Sequence, residues 1–156
     1  AVSYTDAQEP TPGQAMTASL AILDQVIATY PVDPNRIYVT GLSMGGFGAW
    51  DIVQRHPEIF AAALPVCGGG DATLAASIRR IPVWAFHGDR DATVKPARSR
   101  DMIAALRGEG GSPRYTEYEG VGHDSWNRTY ADPEVLAWLF AQKRPEEVAA
   151  AAGEKK

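Results

Sequence analysis

The segment GLSMG at residues 41–45 constrains this chain most, because it sets a serine between glycines where a predicted strand meets a predicted helix. Residues 37–40 form a short β-branched run, and residues 45–55 place Phe47, Trp50 and Val53 on one helical face. A sharp turn between such elements lifts a serine hydroxyl above a sheet edge and requires small neighbours. Ser43 is therefore the predicted nucleophile. The alternative is a glycine-rich turn in which the serine only caps the helix.

Strands and helices alternate along the rest of the chain. The apolar runs at 61–66 and 82–86 predict strands that are buried on both faces, and residues 115–118 predict a last strand. Apolar stripes predict helices after Gly13, over residues 96–107 and after Asp132. This order predicts an α/β fold with a mostly parallel sheet, helices on both faces and ligands at the carboxyl ends of the strands.

The composition indicates a single domain. The chain has 156 residues, of which 45% are hydrophobic and 22% are charged, as in ordinary globular proteins. We expect one domain over residues 1–156, with a loop over residues 1–13 and a mobile tail over residues 145–156, where no hydrophobic stripe continues.

Charge and composition also exclude several kinds of partner. A net charge of −4 provides no broad basic surface for nucleic acid. Three widely spaced histidines and one cysteine form no local metal-ligand cluster, so we expect no metal. No apolar run approaches the roughly 18 residues of a membrane span. Cys67 lies in an apolar run and is predicted to be a small buried side chain.

A serine hydroxyl is a weak nucleophile until a base takes its proton, so a histidine is expected at another strand end. His123 fits best, because it follows the last predicted strand in a loop whose glycines allow the imidazole to reach over the edge of the sheet. His87 is the rival base, but it precedes the loop that carries the acid and is expected to be a structural imidazole. His56 lies at a helix C-terminus, where the helix dipole favours a cation, and is not expected to be catalytic.

The third member of such a site is a carboxylate that orients the imidazole. The loop HGDRDATV after the third predicted strand offers Asp89 and Asp91. We favour Asp91 because it lies farther beyond the strand end, whereas Asp89 is better placed to cap the turn or to pair with the adjacent arginine. Asp124 is next to His123 in sequence, and its geometry is poor for orienting that ring.

Three segments of the chain resemble a known family: VDPNRIYVTGLSMGGFGAWDIVQRHPEIFAAALPVCGGG, IPVWAFHGDRDATV and YTEYEGVGHDSW. They are similar to the small bacterial α/β-hydrolases of the prolyl-oligopeptidase-like and phospholipase/carboxylesterase-like groups, over residues 14–144. The resemblance implies an α/β-hydrolase fold and triad roles for Ser43, Asp91 and His123. The family includes acetyl, feruloyl and other carboxylic ester hydrolases, many of them exported. It therefore implies a small-molecule or carbohydrate-linked ester substrate and favours a secreted or periplasmic location.

Together these features predict a serine hydrolase that cleaves carboxylic esters through an acyl-serine intermediate and needs no cofactor. A peptidase of the same fold is the first alternative. The second is a non-catalytic hydrolase-like fragment that acts as an interaction module. Trp126, three residues after His123, either forms one wall of an acyl or aromatic pocket or packs within its own loop.

The start of the chain departs from the family pattern. Such domains begin with further strands and a loop that donates one backbone N–H to the oxyanion hole, and nothing before Gln14 is similar to them. We expect an N-terminally truncated domain in which the N–H of Met44 is the remaining donor. Loss of one donor costs on the order of 10² to 10³ in turnover, so we expect a poor enzyme. We also expect an exposed edge at residues 37–40 that promotes self-association.

Overall fold

The computed structural model describes residues 13–144. The predicted tail over residues 145–156 and all of the predicted N-terminal loop except Gly13 lie outside the described residues. Within residues 13–144, none of the helices has the length and hydropathy that a bilayer span requires.

The chain folds into an α/β structure with one parallel sheet, as the alternation of strands and helices predicts. The four strands pair in chain order, β1-β2-β3-β4, and every pairing is parallel. The carboxyl ends of the strands therefore meet at one edge of the sheet. The elements are α1 (Gln14–Thr29), β1 (Tyr38–Leu42), α2 (Met44–Arg55), β2 (Ala62–Val66), a 3-10 helix (Ala72–Ile78), β3 (Trp84–Gly88), α3 (Ala97–Gly108), β4 (Arg114–Tyr118), α4 (Trp126–Ala131) and α5 (Pro133–Ala141).

The sheet has a hydrophobic core on each face. All residues of β2 are buried, as its unbroken apolar sequence requires of a strand that is covered on both sides. On one face, α2 and α3 pack Trp50 and Leu106 against Ala63 of β2 and its neighbours. On the other face, α5 packs Val135 against Leu64. Because successive residues of β2 point to opposite faces, helices on both sides hold this strand in place.

Two strands and one helix differ from the sequence-based expectation. Strand β3 spans Trp84–Gly88, two residues later than the predicted run at 82–86. Strand β1 continues through Gly41 to Leu42 instead of ending at the glycine, so the turn is tighter than predicted. Helix α4 (Trp126–Ala131) was not predicted, because its six residues carry no regular apolar stripe.

Helix α1 and strand β1 are the least covered part of the structure. The apolar stripe correctly predicts the helix, but only Met16 of that stripe is buried. Leu20 and Leu23 are half-buried, whereas Ile27 and Tyr30 are 40% and 63% exposed. Among residues 13–144, strand β1 pairs with β2 alone and lies at the edge of the sheet. Most of this apolar face therefore has no partner among residues 13–144.

Arg100 of α3 forms an ion pair with Glu117 of β4 and so ties a helix to the last strand. The guanidinium donates two hydrogen bonds to the carboxylate, and the hydroxyl of Tyr115 donates a third. The hydrogen bonds from Arg100, with partial burial acting against them, lower the pKa of Glu117 to about 2. This folded-state pKa lies below the ordinary glutamate value, so the pair stabilises the fold above pH 4.3 or so, and this contribution is lost as the pH falls towards 2.

Gly46 and Gly48 of α2 provide a matched test of how closely this helix approaches the sheet. A Cβ atom on Gly46 would lie 2.4 Å from the carbonyl oxygen of Val66, whereas one on Gly48 would meet nothing within 4 Å. We expect Gly46→Ala to lower the free energy of unfolding by about 1–3 kcal/mol through overpacking. Gly48→Ala should raise it by about 0.5–1 kcal/mol through helix propensity. Urea unfolding measures both, and equal effects would contradict the close approach.

Glu117→Gln tests the ion pair between α3 and β4. The variant should be less stable than the wild type at pH 7, because the amide cannot replace the charge that Arg100 binds. The difference between the two proteins should shrink as the pH falls below about 4.3 and vanish towards pH 2. Urea unfolding at a series of pH values measures this. A difference that stays constant down to pH 2 would show that the charge of Glu117 is irrelevant.

Candidate active site

Ser43 lies in the tight turn between β1 and α2, at the carboxyl end of β1. Its φ of 52° and ψ of −117° lie in a region that non-glycine residues rarely adopt. The Ser43 N–H donates a 3.0 Å hydrogen bond to the carbonyl of Val66, which anchors the turn to β2. The Ser43 side chain makes no capping hydrogen bond with α2, so the alternative that this serine only caps the helix is wrong. The hydroxyl is available for other partners.

A chain of two hydrogen bonds links Ser43, His123 and Asp91. The Nε2 atom of His123 lies 2.8 Å from Ser43 Oγ, and its Nδ1 atom lies 2.7 Å from Asp91 Oδ2. Because the carboxylate accepts the proton of Nδ1, the Nε2 lone pair is left to accept the serine hydroxyl. The structure thus brings together the three residues that the sequence predicts as nucleophile, base and acid, on the turns and loops that follow β1, β4 and β3.

Asp91 is a buried carboxylate with donors on both oxygens. It is 3% exposed, and its Oδ1 atom accepts hydrogen bonds from the N–H groups of Thr93 and Val94, both at 2.9 Å. Burial acts to raise the pKa of Asp91, but the hydrogen bonds from His123, Val94 and Thr93 outweigh it and lower the pKa. Asp91 is therefore held ionised beside His123, which is the condition for stabilising an imidazolium.

The rival residues lie outside this hydrogen-bonded chain. His87 is fully buried, and its Nε2 atom is 3.2 Å from Asp91 Oδ2, so it contacts the acid. The expectation that Asp89 caps the turn or pairs with Arg90 is wrong. Its Oδ1 atom is buried without a hydrogen-bond partner, and no ion pair joins it to Arg90 within residues 13–144. Asp124 is exposed and contacts the first turn of α4.

Trp126 packs edge-on against the ring of His123, with ring centroids 5.3 Å apart and an interplanar angle of 90°. Its other side packs against the core under α5. The indole therefore adjoins the imidazole and packs against the core, and its role as a wall of an acyl or aromatic pocket stays a prediction.

Met44 is the first residue of α2, directly after Ser43. The N–H groups of the first helical turn have no acceptor within their own helix, and the helix dipole makes this end partly positive. The backbone N–H of Met44 is therefore suited to bind negative charge that develops next to Ser43 Oγ.

Cys67 lies directly beneath the serine. It is fully buried, as predicted, and its Sγ atom is 3.3 Å from the donating N–H of Ser43. Burial raises the pKa of this thiol. Its location was missed in the sequence, although a residue that directly follows a buried parallel strand belongs at the edge where ligands gather.

Cys67, Asp91 and His123 place one potential ligand atom each within 4.8 Å of one another. However, the facing atoms of Asp91 and His123 are only 2.7 Å apart. Two ligands of a tetrahedral zinc ion, with bonds of 2.0–2.1 Å, would be about 3.3 Å apart. This arrangement fits a hydrogen bond and does not fit a zinc site.

An apolar groove of about 300 Å³ adjoins the turn that carries Ser43. It lies between α1, the edge strand β1 and the start of α2. The apolar side chains that line it include Met16, Val39, Met44, Ala49 and Ile52. No pattern in the sequence predicted this groove, because it depends on how α1 is placed beside the sheet.

Known proteins resemble the chain in both sequence and fold. The profile of the Dienelactone hydrolase family matches residues 4–153. Poly(3-hydroxyalkanoate) depolymerase C of Paucimonas lemoignei is 28% identical over 144 residues, which cover 71% of this chain and 32% of that protein. A thermostable esterase superposes with a TM-score of 0.83 at 42% identity, over 85% of this chain and 38% of its own.

An acylaminoacyl peptidase of Pyrococcus horikoshii shares the fold at 16% identity, with a TM-score of 0.67 over 72% of this chain and 24% of its own. The chain thus spans between 24% and 38% of the length of each of these proteins.

Proposed function

The chain belongs to the Dienelactone hydrolase family of α/β-hydrolases, and from that premise we propose that it hydrolyses carboxylic esters through an acyl-serine intermediate. The observation that carries the proposal is the pair of hydrogen bonds from Ser43 Oγ through His123 to Asp91, at 2.8 Å and 2.7 Å. A depolymerase and an esterase among the similar proteins support an ester substrate.

In the proposed mechanism, His123 Nε2 takes the proton of Ser43 as Oγ attacks the ester carbonyl carbon. The bond from that carbon to the alcohol oxygen then breaks, and the imidazolium returns its proton to the leaving alcohol. Water, deprotonated by the same nitrogen, then attacks the acyl carbon. The bond from that carbon to Ser43 Oγ breaks, Oγ takes the proton back from His123, and the carboxylic acid leaves. Asp91 stays ionised throughout and stabilises the positive charge on His123.

The backbone N–H of Met44 is the proposed donor to the oxyanion of the tetrahedral intermediate. Its place at the N-terminus of α2 supports this role, because the donor is oriented before the charge develops. The apolar groove beside Ser43 supports an ester with an apolar acyl or alcohol group. The ring of Trp126, which does not line this groove, lies beside His123 and supports a separate contact with the substrate. The peptidase shares only the fold with this chain, so an amide substrate is the weaker proposal.

Labelling with a fluorophosphonate probe tests the nucleophile. We expect the intact protein and the control variant Ser112→Ala, which removes an exposed serine before β4, to be labelled, and Ser43→Ala not to be labelled. The physical reason is that only a serine beside a base becomes nucleophilic. Mass spectrometry of the peptides locates the adduct.

An unlabelled wild type would contradict the proposal and favour the non-catalytic interaction module. If Ser43 is labelled, rates on short-chain nitrophenyl esters, feruloyl esters and a peptide anilide separate esterase from peptidase activity. Anilide cleavage that is faster than cleavage of every ester would favour the peptidase.

We also propose that the chain associates with a second copy through the edge of β1 and the outer face of α1. Within the part of the chain that the structure describes, strand β1 has a neighbour on one side only, and α1 leaves Ile22 and Tyr30 61% and 63% exposed. An unpaired strand edge beside apolar surface favours pairing with another chain.

Sedimentation velocity over a range of concentrations tests this association. We expect the mass of the wild type to rise with concentration. Ile22→Lys should reduce the association because it places a charge on the outer face of α1, where Ile22 and Tyr30 are exposed. Asp24→Lys changes a residue on the opposite side of the helix from Ile22 and should not reduce it. A wild type that remains a monomer at all concentrations would contradict the proposal.

A further inference from the structure

His87 is a fully buried histidine that no step of the proposed hydrolysis uses. It lies near the end of β3, and its Nε2 atom is 2.9 Å from the carbonyl oxygen of Val94 and 3.2 Å from Asp91 Oδ2. Its Nδ1 atom is 2.8 Å from the hydroxyl of Ser99. A buried imidazole in hydrogen-bond contact on both nitrogens is held in one orientation.

The acceptors around His87 determine where its proton lies. The carbonyl of Val94 and the carboxylate of Asp91 can only accept, so Nε2 must carry a proton. Ser99 has a single hydroxyl proton, which it can donate either to the carbonyl of Gly68, at 3.0 Å, or to Nδ1 of His87, at 2.8 Å. If the His87 ring is neutral, its Nδ1 atom accepts the hydroxyl proton of Ser99. If the ring is charged, Nδ1 donates to Ser99, and the hydroxyl proton points to the carbonyl of Gly68. Burial lowers the pKa of His87 against the opposing effects of Val94 and Asp91, which favours the neutral Nε2–H tautomer.

Val94 connects His87 to Asp91 by a second route. Its carbonyl accepts the hydrogen bond from His87, and its N–H donates to Asp91 Oδ1. The same imidazole therefore contacts Oδ2 directly and, through the carbonyl of Val94, holds the residue whose N–H binds Oδ1. With the donors from Thr93 and His123, both carboxylate oxygens are surrounded, and Asp91 cannot rotate without breaking hydrogen bonds in a buried place.

We propose that His87 is a positioning residue: with its Nε2–H donor it fixes the orientation of Asp91, and through Asp91 it fixes the Nδ1–H tautomer of His123. The inference rests on the proposed function of Ser43, Asp91 and His123. It adds that a second histidine, on the strand before the acid, maintains the geometry of the first.

Other titratable groups also face this pair. The thiol of Cys67, which follows β2, lies near Asp91, whose charge adds to the effect of burial in raising the thiol pKa. The carboxylate of Glu117 on β4 acts on His87 and opposes the lowering of the pKa of that ring by burial. The charge of Glu117 is balanced by its ion pair with Arg100. Asp91 contacts the imidazole of His123 through a hydrogen bond and lies 3.2 Å from that of His87, so this carboxylate is the direct link between the two rings.

His87→Gln and His87→Met are a matched pair of variants. Both side chains reach the position of Nε2, but only glutamine has an N–H donor there. Displacing a catalytic group by about 1 Å costs on the order of 100-fold in rate, so we expect kcat of His87→Met to fall by at least about 10-fold. KM should stay within about twofold, because the orientation of His123 affects the transition state more than substrate binding. His87→Gln should restore most of kcat.

A stability control separates positioning from simple destabilisation. Leu106→Ala removes a buried side chain of α3 and should lower the free energy of unfolding without changing kcat of the folded fraction. A loss of kcat in Leu106→Ala as large as in His87→Met would overturn the proposal, as would equal kcat values for the Met variant and the wild type.

Nitrogen-15 NMR of the histidine rings at pH 7 tests the inference without turnover. In the wild type we expect His87 as the neutral Nε2–H tautomer and His123 as the Nδ1–H tautomer. His123 should become a mixture of tautomers in His87→Met and return to one tautomer in His87→Gln. An Nδ1–H tautomer of His87 in the wild type, which has no proton on Nε2, would overturn the proposal even if no variant folds.

The two proposals fail in different ways. A wild type that the fluorophosphonate probe does not label defeats the proposed hydrolysis, while the tautomer measurement still decides the role of His87. A labelled wild type whose His123 tautomer is unchanged in a folded Met variant defeats the positioning role alone.

Discussion

The close contact between the start of α2 and the carboxyl ends of β1 and β2 is the constraint on which the rest of the site depends. It exists because three positions carry no side chain. A Cβ on Gly41 would lie 2.2 Å from the carbonyl oxygen of Gly45. Gly46 and Gly68 are also close together, because a Cβ on Gly68 would lie 2.5 Å from the carbonyl carbon of Gly46. The turn can therefore lie directly on β2, and the position of Ser43 is set by backbone packing and hardly at all by its own side chain.

The electrostatics of the site are arranged around one buried carboxylate. Asp91 receives hydrogen bonds from the backbone of its own loop on one oxygen, and the imidazoles of His123 and His87 approach the other. A carboxylate that is already surrounded by donors needs little rearrangement when a neighbouring ring becomes charged. Such preorganisation is a main source of rate enhancement in enzymes, and here it is built largely from residues 87–94 of a single strand and loop.

Much of this arrangement follows from local sequence pattern. The apolar runs predicted β2 and β3 because strands covered on both faces need no polar alternation, and GLSMG predicted the turn at Ser43 because its geometry requires small residues. The resemblance to α/β-hydrolases is confirmed. The contact of His87 with Asp91 and the location of Cys67 beneath Ser43 could not be predicted. They depend on the register between strands, such as Val66 opposite Phe86, and a single segment carries no information about register.

The order of the strands has a consequence for how the protein is assembled. Because the spatial order β1-β2-β3-β4 is also the order of the chain, each strand can add to an edge that is already present as synthesis proceeds. Each pairing joins residues that are about 20 to 30 positions apart, such as Val66 with Phe86 and Trp84 with Arg114, so each new strand closes one helix-containing segment. Ser43 is made first and His123 last, on the loop after β4. A nascent polypeptide in which β4 is not yet paired carries the serine without its histidine partner. The hydrogen bonds from Ser43 through His123 to Asp91 therefore form only when β4 has joined the sheet.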